Sequence, residues 1–293
     1  MKLLLLGKNG QLGFELQRAL APLGEVLAVG HAQCNVADPS ALRSLVQSAS
    51  PDVIVNATAY TAVDKAESDA QAAHAVNAIA PQVLAEAAAG ALVVHYSTDY
   101  VFDGAKTGFY TEDDQPNPQG VYGASKLAGE QALAASGTDH FVFRTSWVVG
   151  AHGGNFAKTM LRLAAERDAL NVVADQHGAP TSAALLADCT AHAIQQSRGQ
   201  GASGRPSGVY HLVAGGETTW HAYACYVIES ARRAGLPIKV ALDAIKPIPA
   251  ASYPTPAKRP ANSRLDTTKF RQTFGLHLPD WRGGVDHVLE QIL

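Results

Sequence analysis

A glycine-rich turn close to the N-terminus constrains the fold of this chain more than any other feature. Leu3 to Leu6 is a short apolar run, which predicts a strand buried on both faces. Gly7, Gly10 and Gly13 then follow at every third position, before leucines at a spacing of four that predict an amphipathic helix. A strand, a turn of this kind and a helix in this order indicate a site for a phosphate-containing ligand.

The glycine spacing meets distinct requirements of dinucleotide binding. A tight turn needs unusual backbone angles, and a pyrophosphate must approach the backbone without meeting a Cβ. The helix N-terminus then offers free N–H groups and a partial positive charge. The predicted cofactor contacts in this turn are Gly7, Gly10, Gln11, Leu12 and Gly13.

Strands alternate with helices over the first half of the chain, which predicts a parallel sheet covered on both faces. After about Gly150 the pattern loosens, and Pro247 to Pro260 holds so many prolines that we predict an irregular segment. The predicted class is α/β: a Rossmann-type doubly wound parallel sheet with a smaller C-terminal α/β substrate domain. Residues 1–150 form the NAD(P)-binding domain, and residues 151–293 bind mainly the substrate, with the chain able to cross back.

Composition narrows the class of partner and the cellular location. The net charge of -3, with no cluster of Lys and Arg, argues against nucleic-acid binding. No segment approaches the ~20 apolar residues of a membrane helix, and the N-terminal apolar run is too short for a signal peptide. We therefore expect a cytoplasmic protein. The three cysteines are far apart and match neither a metal signature nor a disulfide framework.

Tyr122 and Lys126 are the predicted catalytic pair. Positions i and i+4 share one face of a helix, so both side chains can reach one ligand. A phenol with a pKa near ~10 is a poor proton donor, and a nearby ammonium lowers that pKa. The motif alone is weak, but it follows the strand that ends in Ser97 and Thr98. Ligands sit at the carboxyl ends of parallel strands, so Thr98 can bond the oxygen that Tyr122 protonates.

The end of the second strand decides the choice between the two nicotinamide cofactors. An acidic residue there favours NAD by bonding the ribose 2′-hydroxyl. The sequence from Val29 to Gln33 has no acid, so NADPH is not repelled, and it has no arginine for a 2′-phosphate. His31 or Gln33 could take that place. The sequence favours NADPH with imperfect discrimination, so the use of NADH stays open.

Longer blocks of sequence carry a family resemblance over essentially the whole chain. They are the glycine turn, 52–57, 61–67, 95–102, Tyr122-xxx-Lys126, 143–147, 175–181, 253–256 and 259–265. The glycine turn and the Tyr-xxx-Lys motif resemble those of extended short-chain dehydrogenases/reductases. Taken together, the blocks resemble the dTDP-4-dehydrorhamnose reductase family.

The resemblance implies a reaction and a set of site residues. Family members reduce the 4-keto group of dTDP-4-dehydro-L-rhamnose with NAD(P)H, giving dTDP-L-rhamnose for bacterial cell-surface polysaccharide such as lipopolysaccharide O-antigen. Tyr122 would be the proton donor, Lys126 its helper and ribose contact, and Thr98 the carbonyl contact. Further cofactor contacts would be Asn35, Val36, Ala59, Tyr60 and Thr61. Further substrate contacts would be Asp99, Tyr100, Val63, Trp147, Arg259 and Asn262.

The resemblance also extends to dimers with Mg2+ held by glutamates at the interface. Glu15 and Glu290 stand in matching places, whereas the third position offers Asp188, which is shorter than glutamate. The sequence therefore leaves both the metal and the homodimer open.

Two other functions stay as alternatives, and a third, dehydration of a nucleotide-sugar, is disfavoured. A nucleotide-sugar 4,6-dehydratase needs an additional carboxylate after the Thr98-Asp99 pair, where this chain has Tyr100. A non-catalytic NADP-binding regulatory subunit, like that of methionine adenosyltransferase, would not need the Tyr-Lys pair. A reductase of another 4-keto nucleotide-sugar would keep every motif.

Overall fold

The computed structural model describes residues 1–198 and 206–293. Its strands are β1 (Lys2–Leu6), β2 (Glu25–Val29), β3 (Val53–Asn56), β4 (Leu92–Thr98), β5 (His140–Thr145), β6 (Val148–Val149), β7 (Leu170–Val173), β8 (His177–Gly178), β9 (Thr181–Ser182), β10 (Gly208–His211), β11 (Thr218–Thr219) and β12 (Ile245–Ile248). Its α-helices are α1 (Gln11–Leu20), α2 (Pro39–Ala49), α3 (Val63–Ala66), α4 (Ala70–His74), α5 (Ala80–Ala87), α6 (Val121–Ala135), α7 (Phe156–Glu166), α8 (Ala183–Ser197), α9 (Trp220–Arg233), α10 (Thr268–Phe274) and α11 (Trp281–Ile292). In these two stretches, none of the helices is long and apolar enough to cross a bilayer.

A parallel sheet forms the centre of the molecule. Within the described chain its strand order is β10-β5-β4-β3-β1-β2, and every neighbouring pair is parallel. β4 lies in the middle and is buried along its whole length. The predicted α/β class with a parallel central sheet is confirmed.

Alternating side chains of the strands build a core on each face of the sheet. Leu3 and Leu5 of β1 pack with α1, α8 and α10 on one face. Leu4 and Leu6 pack with α2, α5 and the end of α6 on the other. Because both faces are covered by helices, the strands are apolar runs rather than alternating ones.

The second half of the chain contributes to this sheet as well as to a smaller unit. β10 pairs with β5 at the edge of the sheet, and α8 packs against α1. The remaining elements include α7, α9 and α11, which enclose two separate apolar clusters. The domain division at residue 150 and the crossing back between domains stay predictions.

Two elements differ from the predicted pattern. Ile245–Ile248 lies in the segment predicted to be irregular, yet it pairs in parallel with Leu170–Val173. Pro247 is tolerated because this ladder has only two strands. The sequence from Ala70 to Ala89 is rich in alanine, which predicts one long helix, but a π-helical turn, Ala75–Ile79, interrupts it. Such turns are frequent at functional sites.

A buried ion pair joins α6 to β5. Arg144 donates to both carboxylate oxygens of Glu130, with the closest approach at 2.6 Å, and each side chain is only 4% exposed. The guanidinium also lies over the ring of Phe102, 5.1 Å from its centre. Since both charges are out of water, each depends on the other for compensation.

Arg144→Met should therefore lower the free energy of unfolding by about 3–5 kcal/mol, because Glu130 would stay buried without its partner. Urea unfolding of the two proteins measures the difference. Arg162→Met is the matched control, since Arg162 and Glu166 form an exposed pair at 2.9 Å; we expect a change of about 0.5 kcal/mol or less there. Equal losses in the two variants would contradict the role given to the buried pair.

Candidate active site

The carboxyl end of β4 carries a cluster of buried polar side chains. Thr98 Oγ1 donates to Asp99 Oδ1 at 3.0 Å and accepts from the backbone N–H of Tyr100 at 3.2 Å. Ser97, Thr98 and Asp99 are all buried. The central position of β4 thus presents hydroxyl and carboxyl groups at the sheet edge where ligands of parallel sheets bind.

Tyr122 lies in the first turn of α6, beside this cluster. Burial raises the pKa of its phenol, a side-chain hydrogen bond with Thr98 lowers it, and the charge of Asp99 raises it. The ring of Tyr100 meets that of Tyr122 edge-on, with centroids 5.4 Å apart. The structure thereby brings together Tyr122 and Thr98, as the sequence predicts.

Lys126 takes a different position from the one expected for a group that acidifies Tyr122. Its Nζ donates to the backbone oxygen of Tyr96 at 2.5 Å and lies 3.2 Å from Nε2 of His95. Burial lowers the pKa of Lys126 to about 8, against the opposing effect of Glu130. The hydrogen bond with Thr98 lowers the pKa of Tyr122. Nζ of Lys126 is directed at β4 instead.

Several buried polar atoms at the strand ends lack a well-formed hydrogen bond within the described chain. They are Ser97 Oγ, Asp99 Oδ2, Thr145 Oγ1 and Ser146 Oγ. Burial also raises the pKa of Asp99 to about 6. Buried polar groups are normally paired, so unpaired ones at one sheet edge fit a site that bonds hydroxyl groups of a ligand.

The glycine turn has the shape required for a dinucleotide. Gly7 has a φ of +89°, and a Cβ on Gly13 would lie 2.0 Å from the oxygen of Gly7. α1 starts after Gly10 with no side-chain cap and no acidic residue in its first turn. Its first N–H groups, on Gln11, Leu12 and Gly13, can therefore face an anion.

The other predicted cofactor residues lie in turns fixed by side chains. Asn77, in the π-helical turn, accepts from the N–H of Tyr60 at 2.9 Å and donates to its oxygen at 3.2 Å, which fixes the segment from Ala59 to Thr61. Asn35 accepts from the N–H of Ala37 at 3.1 Å, next to the half-buried Val36.

The two residues considered for a 2′-phosphate differ in their freedom. Gln33 accepts from the N–H of Gly30 at 2.8 Å through its side-chain oxygen, and both Gln33 and His31 are exposed. The side-chain oxygen of Gln33 is thus already used by the chain itself.

Residues from both halves of the chain meet beside Tyr100. Arg259 makes an ion pair with Asp64 at 2.7 Å and donates to the hydroxyl of Tyr100 at 3.3 Å. Val63, at the start of α3, precedes Asp64. The loop from the second half thus reaches the end of β4 through a charged contact.

Trp147 is held in an unusual conformation. Its φ is +49°, its ring stacks on Trp220 with centroids 3.6 Å apart, and a Cβ on Gly178 would lie 2.7 Å from it. Positive φ in a bulky residue is costly and persists where the surrounding structure demands it, as at ligand sites. Its predicted substrate contact stays a prediction.

Asn262, a predicted substrate contact, is hydrogen-bonded within its own chain. Its amide donates to the oxygens of Lys106 at 2.8 Å and Gly108 at 2.6 Å, and its oxygen accepts from Arg264. Because the chain itself uses both ends of the amide, Asn262 positions these loops, and its substrate contact stays a prediction.

The acidic residues considered for Mg2+ have other surroundings. Glu15 and Asp188 both face Arg18, at 3.4 Å and 2.9 Å, and Glu290 is exposed on α11. Within 1–198 and 206–293, no group of three or more His, Cys, Asp or Glu residues could hold a metal ion. The structure gives no support to a metal site.

Comparison with known proteins identifies the family. The family model described as RmlD substrate binding domain matches residues 1–293. A dTDP-4-dehydrorhamnose reductase of Shigella flexneri is 53% identical over 300 residues, covering 100% of this chain and 98% of the relative. This chain belongs to the dTDP-4-dehydrorhamnose reductase family. The family predicted from the sequence blocks is therefore confirmed.

Two other relatives agree with the assignment to the dTDP-4-dehydrorhamnose reductase family. The reductase of Escherichia coli K12 is 52% identical, with 100% of this chain and 98% of the relative covered. A crystal structure of the Bacillus anthracis reductase, in complex with NADP, has a TM-score of 0.89 and 33% identity, with 99% of each chain covered. The reductase family is thus supported by sequence and by fold.

Three residues of this reductase-family site were missed in the sequence. His95 contacts Lys126, Trp220 stacks on Trp147, and Asn77 fixes the segment after β3. His95 was detectable as a polar residue inside an otherwise apolar strand. Trp220 and Asn77 had no local signal, because their partners lie far away in the sequence.

Asp99→Asn tests the effect of burial on this carboxyl. Its pKa in the folded chain is about 6, above the ordinary 3.8, so ionisation costs the folded state more than the unfolded state. Stability that is present at low pH is lost as pH rises through this range, by about 3 kcal/mol at most. Asparagine does not titrate, so the free energy of unfolding of the variant should rise relative to that of the parent protein between about pH 4 and pH 7.

Urea unfolding at several pH values measures this gain. Asp243→Asn, at an exposed position, is the control and should show no comparable gain. The same pH dependence in both variants would show that burial of Asp99 is not the cause.

Proposed function

We propose that this chain reduces the 4-keto group of dTDP-4-dehydro-L-rhamnose with NAD(P)H and releases dTDP-L-rhamnose. The relatives that carry this name match the full chain at about half of its positions. The single observation that carries the proposal is the contact of Tyr122 with Thr98 at the end of β4. A proton donor and a second hydroxyl there can share one carbonyl oxygen.

In the proposed reaction, some residues of the chain bind the ligands and others transfer the proton. The nicotinamide cofactor supplies the hydride when bound. Tyr122 donates a proton to the carbonyl oxygen. The Thr98 hydroxyl, once it turns away from Asp99 Oδ1, donates a hydrogen bond that stabilises the developing negative charge. Lys126 contacts the ribose and, when charged, favours the phenolate that Tyr122 leaves behind. Asp99 and Ser97 offer their unpaired atoms to sugar hydroxyl groups.

The cofactor is NADPH in this proposal. The turn from Gly7 to Gly13 and the N-terminus of α1 hold the pyrophosphate, since that end of the helix is uncapped. A relative is bound to NADP, and β2 ends without the acid that selects NAD. Asn35, Val36 and the segment from Ala59 to Thr61 complete the predicted contacts.

The nucleotide-sugar is held between the two halves of the chain. Arg259 has a planar guanidinium suited to a diphosphate, and Tyr100 and Val63 lie beside its loop. Trp147 offers a flat apolar surface to the ligand. Asn262 supports this loop through its neighbours. A homodimer and a cytoplasmic location stay predictions from the sequence.

The purified protein should consume NADPH in the presence of dTDP-4-dehydro-L-rhamnose and yield dTDP-L-rhamnose. NADH in parallel should react more slowly, because the end of β2 lacks an acid for the 2′-hydroxyl. Absorbance of the reduced nicotinamide gives the rates, and chromatography against a standard identifies the sugar. Binding of NADPH without any consumption would favour the regulatory alternative. Reduction only of a different 4-keto nucleotide-sugar would overturn the proposed substrate.

Tyr122→Phe should lower kcat by about 10²–10⁴-fold, because it removes the proton donor. The dissociation constant for NADPH should change little, since the phenylalanine ring keeps the packing. Tyr253→Phe removes a hydroxyl from an exposed tyrosine, 60% accessible, and should leave kcat unchanged. Undiminished reduction by Tyr122→Phe would show that another group donates the proton.

A further inference from the structure

The first turn of α6 holds Tyr122, and its N-terminus is capped from a distant part of the chain. Gly120 occupies the N-cap position and has no side chain that could accept a hydrogen bond. The N–H of Val121 is instead accepted by Oε1 of Glu67 at 2.9 Å. Because the first N–H groups of a helix have no partner within it, Glu67 supplies an acceptor that the helix itself lacks.

Gly120 leaves the room that this contact needs. A Cβ at this position would lie 2.6 Å from Oε1 of Glu67. The backbone does not demand glycine here, since its φ is -151° and its ψ is 170°. Asn155 has almost the same angles, -158° and 178°, and caps α7 with its own side chain. A local cap is thus possible at residue 120, and the chain uses Glu67 instead.

Glu67 is held in place by the short helix α3, which it directly follows. Ala66 of α3 is fully buried. Asp64, on the same helix, pairs with Arg259 at 2.7 Å and accepts from the N–H of Ala257 at 3.3 Å. Because α3 is fixed by packing and by these contacts, the Glu67 side chain extends from a defined position of the backbone.

The contacts of α6 divide its length into two parts. Lys126 and Glu130 have buried partners in β4 and β5, which hold the helix from its second turn onward. Tyr122 lies before these anchors, directly after Val121, and its phenol contacts Thr98. Loss of the cap should therefore loosen the first turn while the rest of the helix stays in place.

We infer that Glu67 is a positioning residue, which holds Tyr122 at the distance that proton transfer requires. A general acid must come within about 2.6–3.2 Å of the atom that it protonates. A displacement of about 1 Å can cost on the order of 10²-fold in rate. The inference rests on the proposed function, because only there does Tyr122 donate a proton.

The first test follows the helix itself and needs no enzymatic activity. In Glu67→Ala, amide hydrogen exchange at Val121 should be about tenfold faster than in the unaltered protein, because the N–H loses its acceptor. Glu67→Gln keeps a side-chain oxygen as acceptor and should retain most of the protection. NMR gives the exchange rate of each amide, and the amides of residues 126–135 should not change.

Turnover is the second test. Glu67→Ala should lower kcat by about tenfold, while KM for the nucleotide-sugar and the dissociation constant for NADPH stay within about twofold. This division is expected because the binding residues outside the first turn of α6 keep their positions. Glu229→Ala, at an exposed position of α9, is the matched control and should leave kcat unchanged.

A second substitution supplies the missing cap locally. In Glu67→Ala/Gly120→Asn, the asparagine oxygen can accept from the first turn, as that of Asn155 does in α7. Its kcat should return to within about threefold of that of the unaltered protein. Glu67→Ala/Gly120→Ala adds a Cβ without an acceptor and should stay as low as Glu67→Ala. Rescue by the acceptor alone separates positioning of the first turn from a general loss of stability.

Unchanged amide exchange or unchanged kcat in Glu67→Ala would overturn the inference, and so would a failure of Gly120→Asn to restore kcat in that variant. If Glu67→Ala does not fold, recovery of folding and turnover by Gly120→Asn decides the same question. An unaltered protein that does not reduce the nucleotide-sugar, while amide exchange responds as expected, would count against the proposed function alone.

Discussion

The close packing of α6 against the segment after β4 and against the π-helical turn Ala75–Ile79 governs the geometry of the proposed active site. A Cβ on Gly123 would lie 2.1 Å from the oxygen of Tyr100, and one on Gly129 would lie 2.2 Å from the oxygen of Asn77. Glycine inside a helix costs about 1 kcal/mol relative to alanine, and here it allows this contact. Because the helix lies so close, the polar side chains on its inner face reach the sheet directly.

Those inner side chains are spaced by four residues and perform different tasks. Tyr122 contacts Thr98, Lys126 contacts His95, and Glu130 pairs with Arg144. A stripe of polar groups on the buried face is costly unless each finds a partner. The partners come from β4 and β5, so the same hydrogen bonds that hold the helix also fix the positions of the proposed catalytic groups.

Along this stripe, one end stabilises the fold and the other end faces the proposed ligand site. At Glu130 the polar atoms of the carboxylate are paired within the chain, whereas at the strand ends Asp99 Oδ2 and Thr145 Oγ1 are not. Unpaired buried groups destabilise the folded chain, and they are retained where a ligand completes them. The second half of the chain adds Arg259 and Trp220, and Trp220 stacks on Trp147.

The sequence alone determined the parallel sheet, the glycine turn and the meeting of Tyr122 with Thr98. Each follows from local spacing or from the rule that parallel strands end at one edge. Only the tertiary structure decided that Lys126 is directed at His95, that Asn262 is used by its own loop, and that Ile245–Ile248 is a strand. These outcomes depend on hydrogen-bond partners far apart in the chain, and local patterns carry no information about which distant groups will meet.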